Sequence, residues 1–356
     1  MGEDGPDSQS ASSAEAVEAL FEVARGVRSA LIVTHDDPDP DAIASAMALA
    51  YLLEQRLGLK ATLAHGGIIG RAENKAMVRL LSIEIRPLYE LDPRKYDVIA
   101  LVDAQAGAGN VGLSEDITPT VLIDHHSEVQ SEVEGVPFAD IRTGYGATST
   151  ILSSYLKAVG LPPDPRTATA LFYGIKSDTM GLARRAGDAD VEAYLYLLPL
   201  ADTKILAQIE QAQVPLAYFR AFERALERTF IYDDVVICSL GSMDWPDLAA
   251  EMADFLLRWE GARWIICTGL FDDEIVISVR TNDLEGNAGR VVQEVVSGMG
   301  TGGGHDLMAG GRIPLDDQSP RDVVRELRRR FLARLEREES EREKLIQEPL
   351  RANLIQ

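Results

Sequence analysis

Asp124-His125-His126 closes the apolar run Val121-Leu122-Ile123. His35, Asp36, Asp37, Asp39 and Asp41 follow the apolar residues 30–34, Asp103 follows the run 98–102, and Asp178 sits in Ser177-Asp178-Thr179. Carboxylate oxygens mixed with imidazole nitrogens are a donor set for divalent cations, and here they outnumber the ligands one ion uses. The pattern therefore points to a pair of ions. In two-metal hydrolases these lie roughly 3.5–4 Å apart and stabilise both the attacking and the leaving oxygen of a displacement. Such a site needs no serine or cysteine nucleophile, because the cations make a water between them far more acidic. Mixed His/Asp donors favour Mn²⁺, with Co²⁺, Fe²⁺ and Mg²⁺ as the alternatives.

The elements that must hold these residues are legible around them. Apolar runs at 30–34, 59–64, 83–88, 98–102 and 121–123 predict strands, and helices are expected over 14–26, 41–53, 148–158 and 165–175. Pro38 and Pro40 keep the ligand-rich segment itself out of a helix. Strands alternating with helices imply an α/β fold with a mostly parallel, doubly wound sheet, which gathers its ligands outside the carboxyl ends of the strands. A disordered lead is expected over 1–16, a catalytic domain over 17–200 and a helical connector over 201–228. A smaller α/β domain is expected over 229–320, with strand-like runs beginning at Thr229, Trp264 and Glu274. From Arg321 to the C-terminus the dense, mixed charges predict an amphipathic helix with a solvated face. Asp36 and Asp37 are expected as helix caps or solvated carboxylates, Asp97 and Asp140 as surface or turn residues, and His65 as a loop histidine.

Composition narrows the partners. The chain has 356 residues and a formal net charge of −22, which argues against a general grip on long duplex nucleic acid, since that normally uses a broad basic face. It leaves room for a small anionic ligand held by metals and a few arginines. The two cysteines, Cys238 and Cys267, lie in apolar segments and are expected as buried thiols in a reducing compartment. No apolar run approaches the roughly 20 residues of a membrane span, and the polar, acidic start is unlike a signal peptide. A cytoplasmic protein without a membrane partner is expected, with a homodimer through the C-terminal helix or the first domain.

In this order the motifs resemble the DHH phosphoesterase superfamily: His35/Asp39/Asp41 after the first strand, a lone Asp103 after a later one, then Asp124-His125-His126 and Ser177-Asp178-Thr179. The resemblance implies that His35 and Asp39 bind one metal with Asp103 bridging, that Asp41, His125 and Asp178 complete the second site, that Asp124 orients a histidine, and that His126 contacts the phosphate. Pro40 stands where that family usually has glycine, which stiffens the loop and leaves both ligands in place.

The later chain adds Gly298-Met-Gly-Thr-Gly-Gly-Gly-His305, about twenty residues after the run ending in Arg280. That pairing is similar to the DHH-associated domain of nano-RNases, cyclic-dinucleotide phosphodiesterases and single-strand exonucleases, so the resemblance spans roughly residues 17–315. It implies that Arg280, Gly303, Gly304 and His305 hold the part of the substrate away from the metals, with the active site in the cleft between the two domains. A strand-end salt bridge is the plainer role for Arg280. The expected activity is hydrolysis of short nucleotides, either dinucleotides, short oligoribonucleotides, cyclic dinucleotides or 3′-phosphoadenosine 5′-phosphate. The alternatives are an inorganic pyrophosphatase or polyphosphatase, against which the glycine-histidine segment argues, and a protein that binds a dinucleotide without turning it over.

Overall fold

A computed structural model describes residues 6–105, 107, 110–114, 116–126, 135–304 and 306–346, with side chains from Ser13 onward. The chain divides into two units, Met1–Gln213 and Val214–Gln356. The first unit runs α1 (Pro6–Ala24), β1 (Ala30–Val33), α2 (Pro40–Leu57), β2 (Ala61–His65), α3 (Ala72–Leu80), β3 (Ile85–Pro87), β4 (Val98–Val102), β5 (Val121–Asp124), β6 (Phe138–Ile141), α4 (Thr148–Ala158), α5 (Pro165–Asp178), α6 (Asp188–Leu197) and α7 (Thr203–Glu210).

Every residue of β1, β4 and β5 is buried. Strands covered on both faces need continuous apolar runs, which is why these read so plainly in the sequence. Alternate residues feed opposite faces: Ile32, Ala100, Val102 and Ile123 join one core, and Leu31, Val33, Leu101 and Leu122 the other. The sheet is parallel, in the order β3-β2-β1-β4-β5-β6. This is the doubly wound arrangement expected.

The second unit runs α8 (Leu216–Glu227), β7 (Thr229–Tyr232), β8 (Val235–Ser242), α9 (Leu248–Leu256), β9 (Trp264–Phe271), β10 (Glu274–Thr281), α10 (Ala288–Val296), β11 (Thr301–Gly304), β12 (Met308–Pro314), α11 (Pro320–Arg334) and β13 (Arg342–Lys344). Its seven-stranded sheet has the order β11-β12-β10-β9-β8-β7-β13 and is mixed, with β8 and β9 parallel and the other neighbours antiparallel.

Three expectations are corrected here. The run beginning at Thr229 is a hairpin, turned at Asp233-Asp234 with Asp233 at φ 58°, a conformation aspartate tolerates well. The glycine-rich segment is no open loop: Thr301–Gly304 pairs along β12. Its bare backbone lets α10 approach, since a Cβ on Gly289 would meet the Gly304 carbonyl oxygen at 2.3 Å. The C-terminal helix stops at Arg334, Glu336 turns at φ 56°, and Arg342–Lys344 returns as an edge strand against β7. No described helix is long and apolar enough to cross a membrane.

Candidate metal centre

The chain leaves β1 toward one edge of the first sheet and β4 toward the other, so the strand order reverses between them. The crevice outside the carboxyl ends of strands at such a reversal is the usual ligand site of an open α/β sheet. The loop after β1 carries His35 and Asp39, the first turn of α2 carries Asp41, and Asp103 directly follows β4.

Asp39 is the N-cap of α2, accepting from Ala42 N at 3.0 Å, and Pro40 fills the first helical position, where its missing N–H costs nothing. Asp41, fully buried in the first turn, accepts from Thr148 N at 2.7 Å and Ser149 N at 2.8 Å. Those are the first residues of α4, whose free amide groups and dipole favour an anion. Gly174 of α5 permits this approach, because a Cβ there would lie 2.4 Å from Ser149 Oγ and 3.1 Å from Asp41 Oδ1. Asp103 is 2 % exposed, takes a left-handed φ of 56°, and accepts from Thr148 Oγ1 at 2.8 Å. Asp178 ends α5.

Each histidine of the cluster turns Nδ1 toward an oxygen. For His35 it is the Asp36 carbonyl at 2.8 Å, for His125 the Tyr145 carbonyl at 3.1 Å, and for His126 Asp124 Oδ1 at 2.9 Å. A carbonyl only accepts, so Nδ1 carries the proton in His35 and His125, and Nε2 faces the carboxylates. His35 Nε2 lies 3.7 Å from Asp103 Oδ2 and 3.9 Å from Asp39 Oδ1. His125 Nε2 lies 3.3 Å from Asp178 Oδ2 and 3.6 Å from Asp103 Oδ1. Asp124 accepts from His125 N at 2.8 Å, His126 N at 3.2 Å and Gln105 Nε2 at 2.7 Å.

The candidate ligands thus form overlapping groups whose donor atoms lie within 4.8 Å of one another: His35, Asp39 and Asp103; Asp41, His125 and Asp178; and Asp103, His125 and His126. Crowding distorts their proton equilibria. Burial and the neighbouring Asp178 push Asp41 up to about 7, burial with Asp41 and Asp39 pushes Asp103 up to about 7, and burial with Asp39 raises Asp178 to about 6. Burial opposes charge on the imidazoles too. Yet Asp39 with Asp103 drives His35 up to about 10, and Asp178 with Asp103 and Asp41 drives His125 up to about 11. Burial works against the charge on Asp124 as well, but the bonds from His126 and Gln105 outweigh it and hold the carboxyl below its ordinary value.

Asp103 Oδ2 and His125 Nε2 are buried without a hydrogen-bond partner. Groups left this way inside a protein cost roughly 1–3 kcal/mol each, more when charged, and at the centre of a hard oxygen and nitrogen donor set a divalent cation is the partner that suits both. The residues present fit a metal.

Other positions differ from their expected roles. Asp36 and Asp37 do not cap α2; they accept from Gly112 N at 2.9 Å and Ile68 N at 2.8 Å, fastening the ligand loop to its neighbours. Asp140 is no turn residue: it lies in β6, bonded to Arg142 and to Tyr155 Oη. His65 ends β2, is 7 % exposed, and places Nδ1 2.8 Å from the Gly66 carbonyl. In the second unit Arg280 is buried and committed, donating to Asp254 at 2.5 Å, Ser278 Oγ at 3.0 Å and the Val279 carbonyl at 3.0 Å. Gly303 has open space where a Cβ would stand apart from Gln293 Nε2 at 3.6 Å, and Gly304 has φ 149°. His305 lies outside the described residues.

Sequence reasoning missed Thr148, Ser149, Gln105 and Tyr145, which orient the ligands. Only Thr148-Ser149 carried a signal, as small polar residues opening a helix.

An α/β domain with clustered carboxylates and imidazoles at the reversal of a parallel sheet is a metal-ligating domain. Residues 29–175 match the family model described as DHH family, N-terminal domain. An uncharacterized protein of Methanocaldococcus jannaschii is 37% identical over 286 residues, covering 80% of this chain and 58% of the relative. A probable manganese-dependent inorganic pyrophosphatase of Deinococcus radiodurans is 29% identical over 170 residues, 47% of this chain and 52% of the relative. A cyclic-di-AMP phosphodiesterase of Listeria monocytogenes is 27% identical over 205 residues, 55% of this chain and 30% of the relative. The chain spans about half, or less, of the length of these curated relatives. An exopolyphosphatase-related protein of Bacteroides fragilis has the same fold, with TM-score 0.70 and 15% identity over 90% of this chain and 96% of that one.

Proposed function

We propose that this protein is a metal-dependent phosphoesterase that hydrolyses short nucleotides, using two divalent ions, most suitably Mn²⁺, and an activated water. The observation that carries the reading is that Asp103 groups with His35 and Asp39 on one side and with His125 and His126 on the other, while His125 also groups with Asp41 and Asp178, and that Asp103 Oδ2 and His125 Nε2 are buried without a hydrogen-bond partner. Divalent cations bound there supply Lewis acidity to a phosphoryl oxygen and lower the pKa of a water molecule. His35 and Asp39 with Asp103 hold one ion, and Asp41, His125 and Asp178 the other. His126 is assigned the phosphate contact, donating from Nε2 while Asp124 holds Nδ1. Its side chain is 39% exposed, against 16% for His35 and 12% for His125, which supports giving it the substrate rather than a buried ion. Arg280, Gly303, Gly304 and His305 hold the part of the substrate remote from the reacting phosphate. For Arg280 this requires the substrate anion to replace or share its Asp254 partner.

A second reading, inorganic pyrophosphatase, is favoured by the Deinococcus radiodurans relative. A hydrolysis panel separates the two. With Mn²⁺ added and a chelator control, a linear diribonucleotide, cyclic di-AMP, 3′-phosphoadenosine 5′-phosphate, a longer single strand and pyrophosphate are compared. Chelator-sensitive turnover confined to the short nucleotides is expected. Turnover of pyrophosphate alone moves the protein to the second reading, and dinucleotide binding without any turnover makes it a sensor.

A further inference from the structure

We infer that Arg142 is a positioning residue for the metal centre, acting on His125 through the main-chain carbonyl of Tyr145. Arg142 touches none of the candidate ligands. It continues from β6, where its own amide donates to the Asp124 carbonyl at 2.9 Å, and its carbonyl accepts from Tyr145 N at 2.9 Å to close a tight turn. The carbonyl at the far end of that turn is the one that accepts the Nδ1 proton of His125. What fixes Tyr145 therefore fixes which nitrogen of His125 is left for a metal, and where it points.

The Arg142 side chain is built to fix it. The side chain is 12% exposed, and its guanidinium binds both oxygens of Asp140, at 3.0 and 2.7 Å. From Nη1 it donates to Tyr145 Oη at 3.1 Å and to Ser13 Oγ of α1 at 2.9 Å. It also lies over the Tyr145 ring at 5.3 Å and the Tyr155 ring at 5.6 Å, while Tyr155 Oη closes the network on Asp140 at 2.5 Å. A planar, always-charged fork can serve a carboxylate, a phenol and an aromatic face together, which a lysine cannot. On the other side of the turn Asp190, itself fully buried, accepts from Gly146 N at 2.8 Å and from Thr150 Oγ1 at 2.6 Å. Tyr145 is thus pinned through its ring and hydroxyl by Arg142, while Asp190 fixes the residue that follows it.

This role rests on the metal-dependent reading, and the test keeps the two apart. Mn²⁺ affinity is measured by calorimetry on the full chain for wild type, Arg142→Met, Arg142→Lys and Tyr145→Phe, and the His125 ring nitrogens are followed by ¹⁵N NMR in the metal-free proteins. Arg142→Met is expected to weaken Mn²⁺ binding at the His125 site about tenfold or more, to lower kcat with KM little changed, and to shift the ¹⁵N resonance of His125 Nδ1, which bonds the Tyr145 carbonyl. Arg142→Lys restores part of the affinity, and Tyr145→Phe loses a smaller share. If Arg142→Met fails to fold, Tyr145→Phe decides. Wild-type Mn²⁺ affinity together with an unaltered His125 signature in a folded variant overturns the positioning role. A wild-type chain that binds no Mn²⁺ overturns the metal reading instead.

Discussion

The candidate metal centre of the first unit and the surroundings of Arg280 in the second treat their polar groups in opposite ways. Around Asp103 the fold buries carboxylates and imidazoles and leaves two of their atoms without hydrogen-bond partners, with Asp41, Asp103 and His125 pushed far from their ordinary pKa values. Around Arg280 the described polar groups are paired, with Asp254, Ser278 and the Val279 carbonyl around the guanidinium. A group left unpaired inside a protein is an unfavourable feature that binding removes; a group already paired must exchange partners to bind. The comparison therefore favours the first unit for cation binding and makes any substrate contact at Arg280 a smaller, replaceable one.

The largest effect expected is at the shared ligand. Asp103→Asn should cut turnover on the order of a thousandfold, about 4 kcal/mol, in steady-state assays, with circular dichroism unchanged. Residual activity within about tenfold of wild type would mean that no carboxylate is shared between ions.

Proton linkage comes next. In the metal-free protein His35 and His125 are raised to about 10 and 11, and Asp41 and Asp103 to about 7, so these groups hold protons at neutral pH that a cation must displace. Mn²⁺ binding should release protons and strengthen as pH rises from 6 to 8, by up to about tenfold per unit for each proton displaced. Calorimetry in two buffers of different ionisation enthalpy reads this directly, and proton uptake would have the wrong sign.

Gly174→Ala drives a Cβ toward Ser149 Oγ and Asp41 Oδ1. It is expected to cost about 1–3 kcal/mol in thermal unfolding and to weaken Mn²⁺ binding with it. The smallest effect is expected in the second unit. Arg280→Met should raise KM for a diribonucleotide about tenfold while leaving kcat and the hydrolysis of a small artificial phosphodiester nearly unchanged. Equal losses on both substrates would remove the substrate-holding role.

The candidate ligands were legible in the sequence because chemistry restricts such residues to a few types and the strands before them are continuously apolar. Their supports were not. Tyr145 acts through a carbonyl, which any residue would supply, and the amides of Thr148 and Ser149 reach Asp41 across more than a hundred positions of sequence. The glycines at 302–304 have no side-chain pattern from which to read a strand, and Arg342–Lys344 is a charged run whose pairing with β7 is decided by backbone and by Arg342 stacking on Phe230. Phe138–Ile141 is short and only partly buried, so β6 gave no apolar run. In each case the missing information is a distant partner, and strand formation depends on such partners more than on local preference.

The central claim is that one buried carboxylate organises two cation sites in the first unit. Counting bound Mn²⁺ by electron paramagnetic resonance, in wild type and in Asp103→Asn, tests it most directly. Two ions per wild-type chain and less than one tightly held ion in the variant are expected. An unchanged count in the variant, or no Mn²⁺ on the wild-type chain, would contradict it.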